Sequence, residues 1–173
     1  DSDDYFYNRE SGTGTLRGGA GNDTIDFSHS PSGSTEIILI DAGAGDDNVT
    51  FSHFNKGSTT IDLGDGTDQL TLNANYYSSM RVTLGGGQDR VTFASYAYLS
   101  NTTPVFADFT VGANGDVVDV IDYLTEELIN WDGSNPFGSG GYLRLVQQGT
   151  TTYLQIDRDG AAGTSHGFST LIT

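Results

Sequence analysis

Apolar residues return at the same place in five successive segments of the chain, and polar residues alternate with them there. Two columns of apolar positions stand two residues apart in these segments, and they contain Ile25, Val49, Leu70, Val91 and Val118 in the first and Phe27, Phe51, Leu72 and Phe93 in the second. Alternation with a period of two is typical of a strand with one buried face. Each segment therefore predicts a strand whose inward residues stack on those of the next segment.

A further set of apolar positions predicts a second strand in each segment. These positions form the column Leu16, Ile40, Ile61, Val82 and Phe109, with weaker inward neighbours at Gly14, Ile38, Thr59, Met80 and Ala107. Two strands per coil, each stacked on the equivalent strand of the next coil, form two parallel sheets around a narrow apolar core. The pattern predicts an all-β, parallel β-solenoid.

A nine-residue motif rich in glycine and aspartate connects the two strands of each coil. Its copies begin at residues 18, 42, 63, 84 and 111, so the coils span 24, 21, 21 and 27 residues, which is solenoid spacing. Glycine recurs at motif positions two and four, where a sharp turn requires positive φ. Asn114 replaces the second of these glycines in the last copy, and asparagine tolerates that conformation better than most residues. Aspartate occupies position six in every copy.

This motif resembles the nonapeptide of RTX (repeats-in-toxin) proteins, which is a calcium-binding repeat. The resemblance implies a right-handed parallel β-solenoid of the β-roll type. Known RTX rolls carry the motif on every nine residues and have calcium along both edges. Because this chain has one motif per coil, we expect one calcium row, and exposed loops of unequal length on the opposite edge.

The motif also predicts how calcium would be held. Carbonyls at positions one and three should face one adjacent coil and those at two and four the other, and the aspartate at position six completes a cage of hard oxygens. We expect about 3 to 5 Ca²⁺ ions. The candidate ligands are Gly18, Ala20, Asp23, Ala42, Gly43, Ala44, Gly45, Asp47, Leu63, Gly64, Asp65, Gly66, Asp68, Leu84, Gly85, Gly86, Gly87, Asp89, Gly112, Asn114 and Asp116.

Composition restricts the other partners. The 173 residues include 23 acidic and 7 basic side chains, for a net charge of −16, which would repel nucleic acid. Repulsion among these acids should oppose folding until metal binds, and no cysteine is present to form a disulfide in place of metal. No apolar stretch approaches the roughly 20 residues of a membrane-spanning helix, so we expect no membrane insertion. We expect a monomer.

The repeat stops after Asp119, which predicts a division into a solenoid over residues 1–119 and a cap over residues 120–173. Val120 to Trp131 has the pattern of a short amphipathic helix. Residues 142–146 and 152–156 alternate as strands joined by 147–150, and 168–172 predicts a last strand. A solenoid needs such a cap to cover its open core and unpaired edge.

Residues 105–173 are similar to the C-terminal domain of type I secreted RTX adhesins. The similar segments are Asp108–Gly112, Gly115–Leu124 and the turn Ile156-Asp157-Arg158-Asp159-Gly160. The resemblance implies export from a Gram-negative bacterium by the type I secretion machinery, and an extracellular or cell-surface location. Residues 1–7 match the end of a preceding repeat, and the ending at 169–173 is shorter than the family's. We therefore expect a piece of a longer array with an incomplete export signal.

The other candidate sites favour a structural role or leave the choice open. His29, His53 and His166 lack metal-ligand spacing and are expected to be exposed. Asp157 and Asp159 before Gly160 resemble half of an EF-hand loop, but Gln155 replaces its first aspartate and no glutamate follows, so the sequence favours a structural turn. The tyrosines Tyr76, Tyr77, Tyr96 and Tyr98 fit a ligand platform and local packing equally well.

Three functions are compatible with these patterns. The first is a non-enzymatic, calcium-dependent folding and secretion module at the C-terminal end of a large extracellular adhesin. The second is an accessory calcium-binding module of a secreted protease, lipase or polysaccharide-modifying enzyme. The third, ice binding, is disfavoured because motif positions three and five form no flat, repeated array of threonine and asparagine.

Overall fold

The computed structural model describes residues 2–8, 13–29, 35–53, 57–73, 79–94 and 103–173. The repeat region forms eleven strands, which are β1 (Tyr5–Asn8), β2 (Gly14–Ala20), β3 (Thr24–His29), β4 (Ile37–Ala44), β5 (Asn48–His53), β6 (Ser58–Asp65), β7 (Gln69–Leu72), β8 (Ser79–Thr83), β9 (Arg90–Phe93), β10 (Val105–Phe106) and β11 (Val117–Asp119). The C-terminal part forms α1 (Ile121–Glu127), β12 (Leu143–Gln148), β13 (Thr151–Ile156) and β14 (Ser169–Ile172).

The repeat region is a right-handed parallel β-solenoid of about four turns, as the sequence predicted. One sheet has the order β1-β3-β5-β7-β9-β11 and the other β10-β8-β6-β4-β2, and every neighbouring pair in both is parallel. The motif aligns the strands, because Ile25 pairs with Val49, Val49 with Leu70, and Leu70 with Val91.

The predicted apolar columns form the core between the two sheets. The side chains of the position-eight column are fully buried at Ile25, Val49, Leu70 and Val91. Phe27 stacks on Phe51 of the next coil, with ring centroids 5.6 Å apart. The motif adds a column that we did not predict. Its position-one side chains, Ala42, Leu63 and Leu84, are also fully buried.

The return strand of the fifth coil differs from the prediction. Phe106, and not Phe109, continues the apolar column, because β10 pairs Phe106 with Val82. Phe106 packs edge-on against Phe93, whereas Phe109 lies outside any strand and is 37% exposed. This coil is 27 residues long, so counting back from the motif, which locates the strand in shorter coils, misses it by three residues.

The cap combines one helix with a three-stranded antiparallel sheet in the order β12-β13-β14. Its helix ends earlier than predicted, because Leu128 adopts an extended conformation and the Ile129 N–H donates to the Arg158 carbonyl at 2.8 Å. The hairpin is tighter than predicted. Its strands reach Gln148 and Thr151, which leaves a two-residue turn with Gly149 at φ 63°.

Cap and solenoid share one apolar core. Tyr123 and Leu124 of the cap are buried in the same cluster as Phe93 of the last complete coil. The backbone joins them too, since the Phe106 N–H donates to the Thr173 carbonyl at 2.8 Å and the Thr173 N–H to the Pro104 carbonyl at 3.0 Å. The cap therefore continues hydrogen bonding beyond the edge strand β10.

Several predictions concern residues outside the described ranges. The tyrosines Tyr76, Tyr77, Tyr96 and Tyr98 lie there, as do most of the loops opposite the motif and the side chains of His29 and His53. His166 is described and is exposed, as predicted. No helix in the described ranges is long and apolar enough to cross a membrane.

Substitution of a stacked motif glycine should disrupt the fold. A side-chain carbon at Gly43 would lie 2.0 Å from the Gly19 carbonyl oxygen, and Gly43 has φ 117°. Because alanine resists that conformation and the backbone cannot move aside, we expect Gly43→Ala to lower the free energy of unfolding by about 2 to 5 kcal/mol. The matched control is Gly14→Ala, where the added carbon meets no atom within 4 Å. Equal urea midpoints for the two variants, at one calcium concentration, would contradict this.

Candidate metal centre

The motif turns of successive coils are stacked by backbone hydrogen bonds. At position three the carbonyl faces the preceding coil. Thus the Gly21 N–H donates to Ala44 O at 2.9 Å, and the Gly45 N–H donates to Asp65 O at 2.8 Å. At position two the carbonyl faces the following coil, since the Gly86 N–H donates to Gly64 O at 2.9 Å. The carbonyls of this turn alternate in direction, as the sequence predicted.

Close contacts at the glycines extend this alternation to the other motif positions. An added side-chain carbon at Gly85 would lie 1.8 Å from Gly64 O, and one at Gly66 would lie 2.0 Å from Gly45 O. Carbonyls at positions two and four thus point at the following coil. At position one, Ala42 O points back at Gly18 of the preceding coil. Each interface between coils therefore receives carbonyl oxygens from both sides.

The aspartates at position six form a ladder along the motif edge. The Oδ1 atom of each accepts the backbone N–H of the residue at position six in the preceding coil. Asp47 Oδ1 accepts from Asp23 N at 2.7 Å, Asp68 Oδ1 from Asp47 N at 2.8 Å, and Asp89 Oδ1 from Asp68 N at 2.9 Å. At the N-terminal end, Asp23 Oδ1 accepts from Asp4 N at 2.7 Å. One carboxylate oxygen per coil is thereby satisfied.

The second oxygen of these carboxylates has no protein partner. Among the described residues, the buried Oδ2 atoms of Asp23, Asp47, Asp68 and Asp89 accept no hydrogen bond. All four side chains are at least 98% buried. A buried carboxylate without compensation is costly, because it has lost its hydration. The ladder therefore repeats, once per coil, an unsatisfied negative oxygen.

The unpartnered oxygen of Asp23 lies beside a backbone carbonyl of the next coil. A side-chain carbon at Gly18 would lie 2.3 Å from Asp23 Oδ2 and 2.2 Å from Ala42 O. Two oxygens from adjacent coils thus converge on the space that a Gly18 side chain would occupy. Calcium binds carboxylate and carbonyl oxygens at roughly 2.3–2.6 Å in flexible geometries, so this donor set fits a calcium ion.

The fifth motif copy departs from this arrangement. Both oxygens of Asp116 accept N–H groups, from Asp89 at 3.1 Å and from Thr110 at 2.7 Å. A side-chain carbon at Gly112 would meet no atom within 4 Å, so this glycine is not stacked, and Asn114 is exposed. Because no stacked turn follows copy four, the Asp108 carboxylate accepts the N–H groups of Leu84 and Gly85 instead, at 2.8 and 2.9 Å. The structure brings the predicted site residues of copies one to four together. In copy five it keeps Asp116 in contact with copy four but leaves Gly112 unstacked and Asn114 exposed.

A second ladder at motif position five was not predicted. Asn22 Oδ1 accepts from Asp46 N, and Asp46 Oδ1 accepts from Thr67 N, both at 2.8 Å. Asp3 Oδ1 accepts from Asn22 N at 2.8 Å in the same way. This ladder joins each side chain to the following coil, opposite to the position-six ladder. The sequence feature from which this ladder could have been predicted is the asparagine or aspartate at position five of the first two copies.

The electrostatic environment disfavours ionisation of three aspartates of the position-six ladder, Asp47, Asp68 and Asp89. Burial raises the pKa of Asp68 to about 7, and the charges of Asp89 and Asp47 add to this effect. Burial is also the main cause that raises the pKa values of Asp47 and Asp89. Hydrogen bonds from the backbone oppose these shifts without cancelling them. A bound cation would reverse the balance by favouring the ionised form.

No family model matches this chain, and no curated protein or solved structure matches it either. Within the described ranges, no group of three or more acidic or histidine side chains converges in a way that could hold a metal ion. We call the series of interfaces between successive motif turns the motif row. A metal in the motif row would therefore depend on backbone carbonyls together with the carboxylates of the position-six ladder.

The metal-free protein should lose stability as the pH rises. The pKa of Asp68 is about 7 in the folded chain against an ordinary value of 3.8, so between these values the folded state holds a proton that the unfolded state has released. Its contribution to stability is thus present at low pH and lost as the pH approaches 7. In chelator, we therefore expect far-ultraviolet circular dichroism to show less β-structure at pH 8 than at pH 5. Asp68→Asn should weaken this dependence, and Asp65→Asn, at an exposed position, should not. A β-sheet signal that increases from pH 5 to pH 8 in chelator would contradict the assignment.

Proposed function

We propose that this chain is a calcium-dependent folding module, and that calcium occupies the interfaces between its motif turns. The row of buried carboxylate oxygens without hydrogen-bond donors at Asp23, Asp47, Asp68 and Asp89 carries the proposal. Each such oxygen requires a proton or a cation, and at Asp23 the Ala42 carbonyl of the next coil lies beside it. Calcium, when bound, supplies positive charge and accepts these oxygens as ligands.

Charge supports this role. Four divalent ions would contribute about +8 and offset half of the net charge of −16. Without them, adjacent position-six carboxylates repel each other across the coil interfaces. The charge of Asp23 adds to the raised pKa of Asp47, and the charges of Asp89 and Asp47 add to that of Asp68. Metal binding and folding should therefore occur together, because the unfolded chain has no preformed site.

The resemblance to RTX adhesins suggests when calcium-dependent folding takes place, namely after export from the cell. Extracellular modules bind calcium with weak affinity, on the order of 10⁻⁴ to 10⁻³ M, which keeps the chain unfolded where calcium is scarce. We propose that it passes through the type I secretion machinery unfolded and folds in extracellular calcium. In this proposal it is the C-terminal end of a large, non-enzymatic adhesin of a Gram-negative bacterium. The β-solenoid and its cap agree with that proposal.

Calcium should drive folding of the whole chain. Far-ultraviolet circular dichroism, recorded during a calcium titration after chelation at pH 7.5, should change from a disordered to a β-rich spectrum. Stability should then increase with free calcium, because ligand that binds only the folded state stabilises it. A β-rich spectrum that is identical in excess chelator, with no bound metal, would refute calcium-dependent folding.

Two aspartates of the same motif copy should respond differently. Asp68 is buried and its carboxylate joins two coils, whereas Asp65 is exposed and takes part in the turn stacking through its carbonyl. Asp68→Ala should therefore raise the calcium midpoint about 10-fold or more, equivalent to about 1.4 kcal/mol, and Asp65→Ala should change it little. Equal midpoints would show that the position-six carboxylate is not a ligand.

A further inference from the structure

A pair of acidic residues, of which one is buried, lies in the cap, apart from the motif row. Asp157 follows β13 directly and is 7% exposed, and its N–H donates to Tyr142 O at 2.8 Å. Asp159 lies two residues later, in the turn that returns the chain toward β14. The position of Asp157 is thus fixed by the sheet, and its side chain is enclosed by the cap.

One oxygen of this pair has no partner. Within the described residues, the buried Oδ1 of Asp157 accepts no hydrogen bond. Asp159 is held from the other side, since its carboxylate accepts the Ser165 N–H at 2.8 Å and the His166 N–H at 3.2 Å. Gly163 permits this close approach, because a side-chain carbon there would lie 2.2 Å from Asp159 Oδ2.

No basic side chain compensates the pair. In the described part of the chain neither carboxylate forms an ion pair, and the intervening Arg158 pairs with Glu127 of α1. Burial and the neighbouring Asp159 raise the pKa of Asp157, whereas the Ser165 N–H leads the hydrogen bonds that lower the pKa of Asp159. Two adjacent carboxylates, one of them buried, require a shared proton or a cation.

We propose that Asp157 and Asp159 bind a divalent cation of the calcium type in the cap, at a site separate from the motif row. The donor atoms are the unpartnered Oδ1 of Asp157 and the carboxylate of Asp159. Hard oxygen donors of this kind suit calcium, and water completes its coordination where the protein offers few ligands. The sequence favoured a structural turn at this place, and the buried oxygen changes that interpretation.

The test is a count of bound calcium on the full chain in millimolar calcium. Equilibrium dialysis should give one ion fewer per chain for Asp157→Asn than for the unsubstituted protein. The matched control is Asp132→Asn, an exposed cap aspartate whose carboxylate accepts the Ser134 N–H at 2.9 Å, and its count should not change. An unchanged count in folded Asp157→Asn would overturn the proposal, even if the variant were more stable, because the pair would then share a proton.

A second measurement does not depend on the variant. When Mn²⁺ replaces part of the calcium in the unsubstituted protein, the amide resonances of Gly160, Ser165 and His166 should broaden. Their persistence at full intensity would overturn the cap site. Calcium counts for the Asp68→Asn variant distinguish the cap site from the motif row. Loss of an ion in Asp157→Asn but not in Asp68→Asn would support the cap site and contradict the motif row, and the reverse result would do the opposite.

Discussion

The solenoid depends on the buried aspartate at position six of the first four motif copies. One oxygen of this carboxylate accepts a backbone N–H of the preceding coil and so aligns neighbouring turns. The other oxygen is buried and has no donor among the described residues. The same side chain thus joins the coils and carries the charge that opposes their approach. A cation that binds this oxygen would remove the conflict, and for this reason we propose that folding and metal binding are one process.

Glycine makes this arrangement possible. Carbonyl oxygens of one turn lie so close to the glycines of the next that a side-chain carbon at Gly64 would be 1.7 Å from Gly43 O. This close stacking brings carbonyls from two coils to the same interface as the carboxylate. It also sets the pairing of the strands on both sides of the turn, so one contact determines both the candidate metal centre and the packing of Ile25, Val49, Leu70 and Val91.

The sequence predicted those parts of the molecule that repeat. Strands, pairing and apolar columns followed from the motif, because equivalent residues of successive coils have the same surroundings. The predicted return strand was wrong where the repeat changes, since Phe106 takes the place of Phe109 in the longest coil. In the same coil the second oxygen of Asp116 accepts the Thr110 N–H, a contact that the repeat does not predict. Helix α1 ends at Glu127 because Ile129 bonds to Arg158, a contact made by residues far apart in sequence. The unpartnered oxygen of Asp157 was unpredictable for the same reason, as burial there depends on the cap as a whole.

Anomalous scattering from crystals grown in millimolar calcium would test the central claim most directly. The account predicts calcium peaks between successive motif turns, each within bonding distance of the Oδ2 atom of Asp23, Asp47, Asp68 or Asp89. Carbonyl oxygens from the two adjacent coils should complete the coordination of each ion. A folded structure without these peaks, in which the same oxygens are protonated or bonded to water, would contradict it.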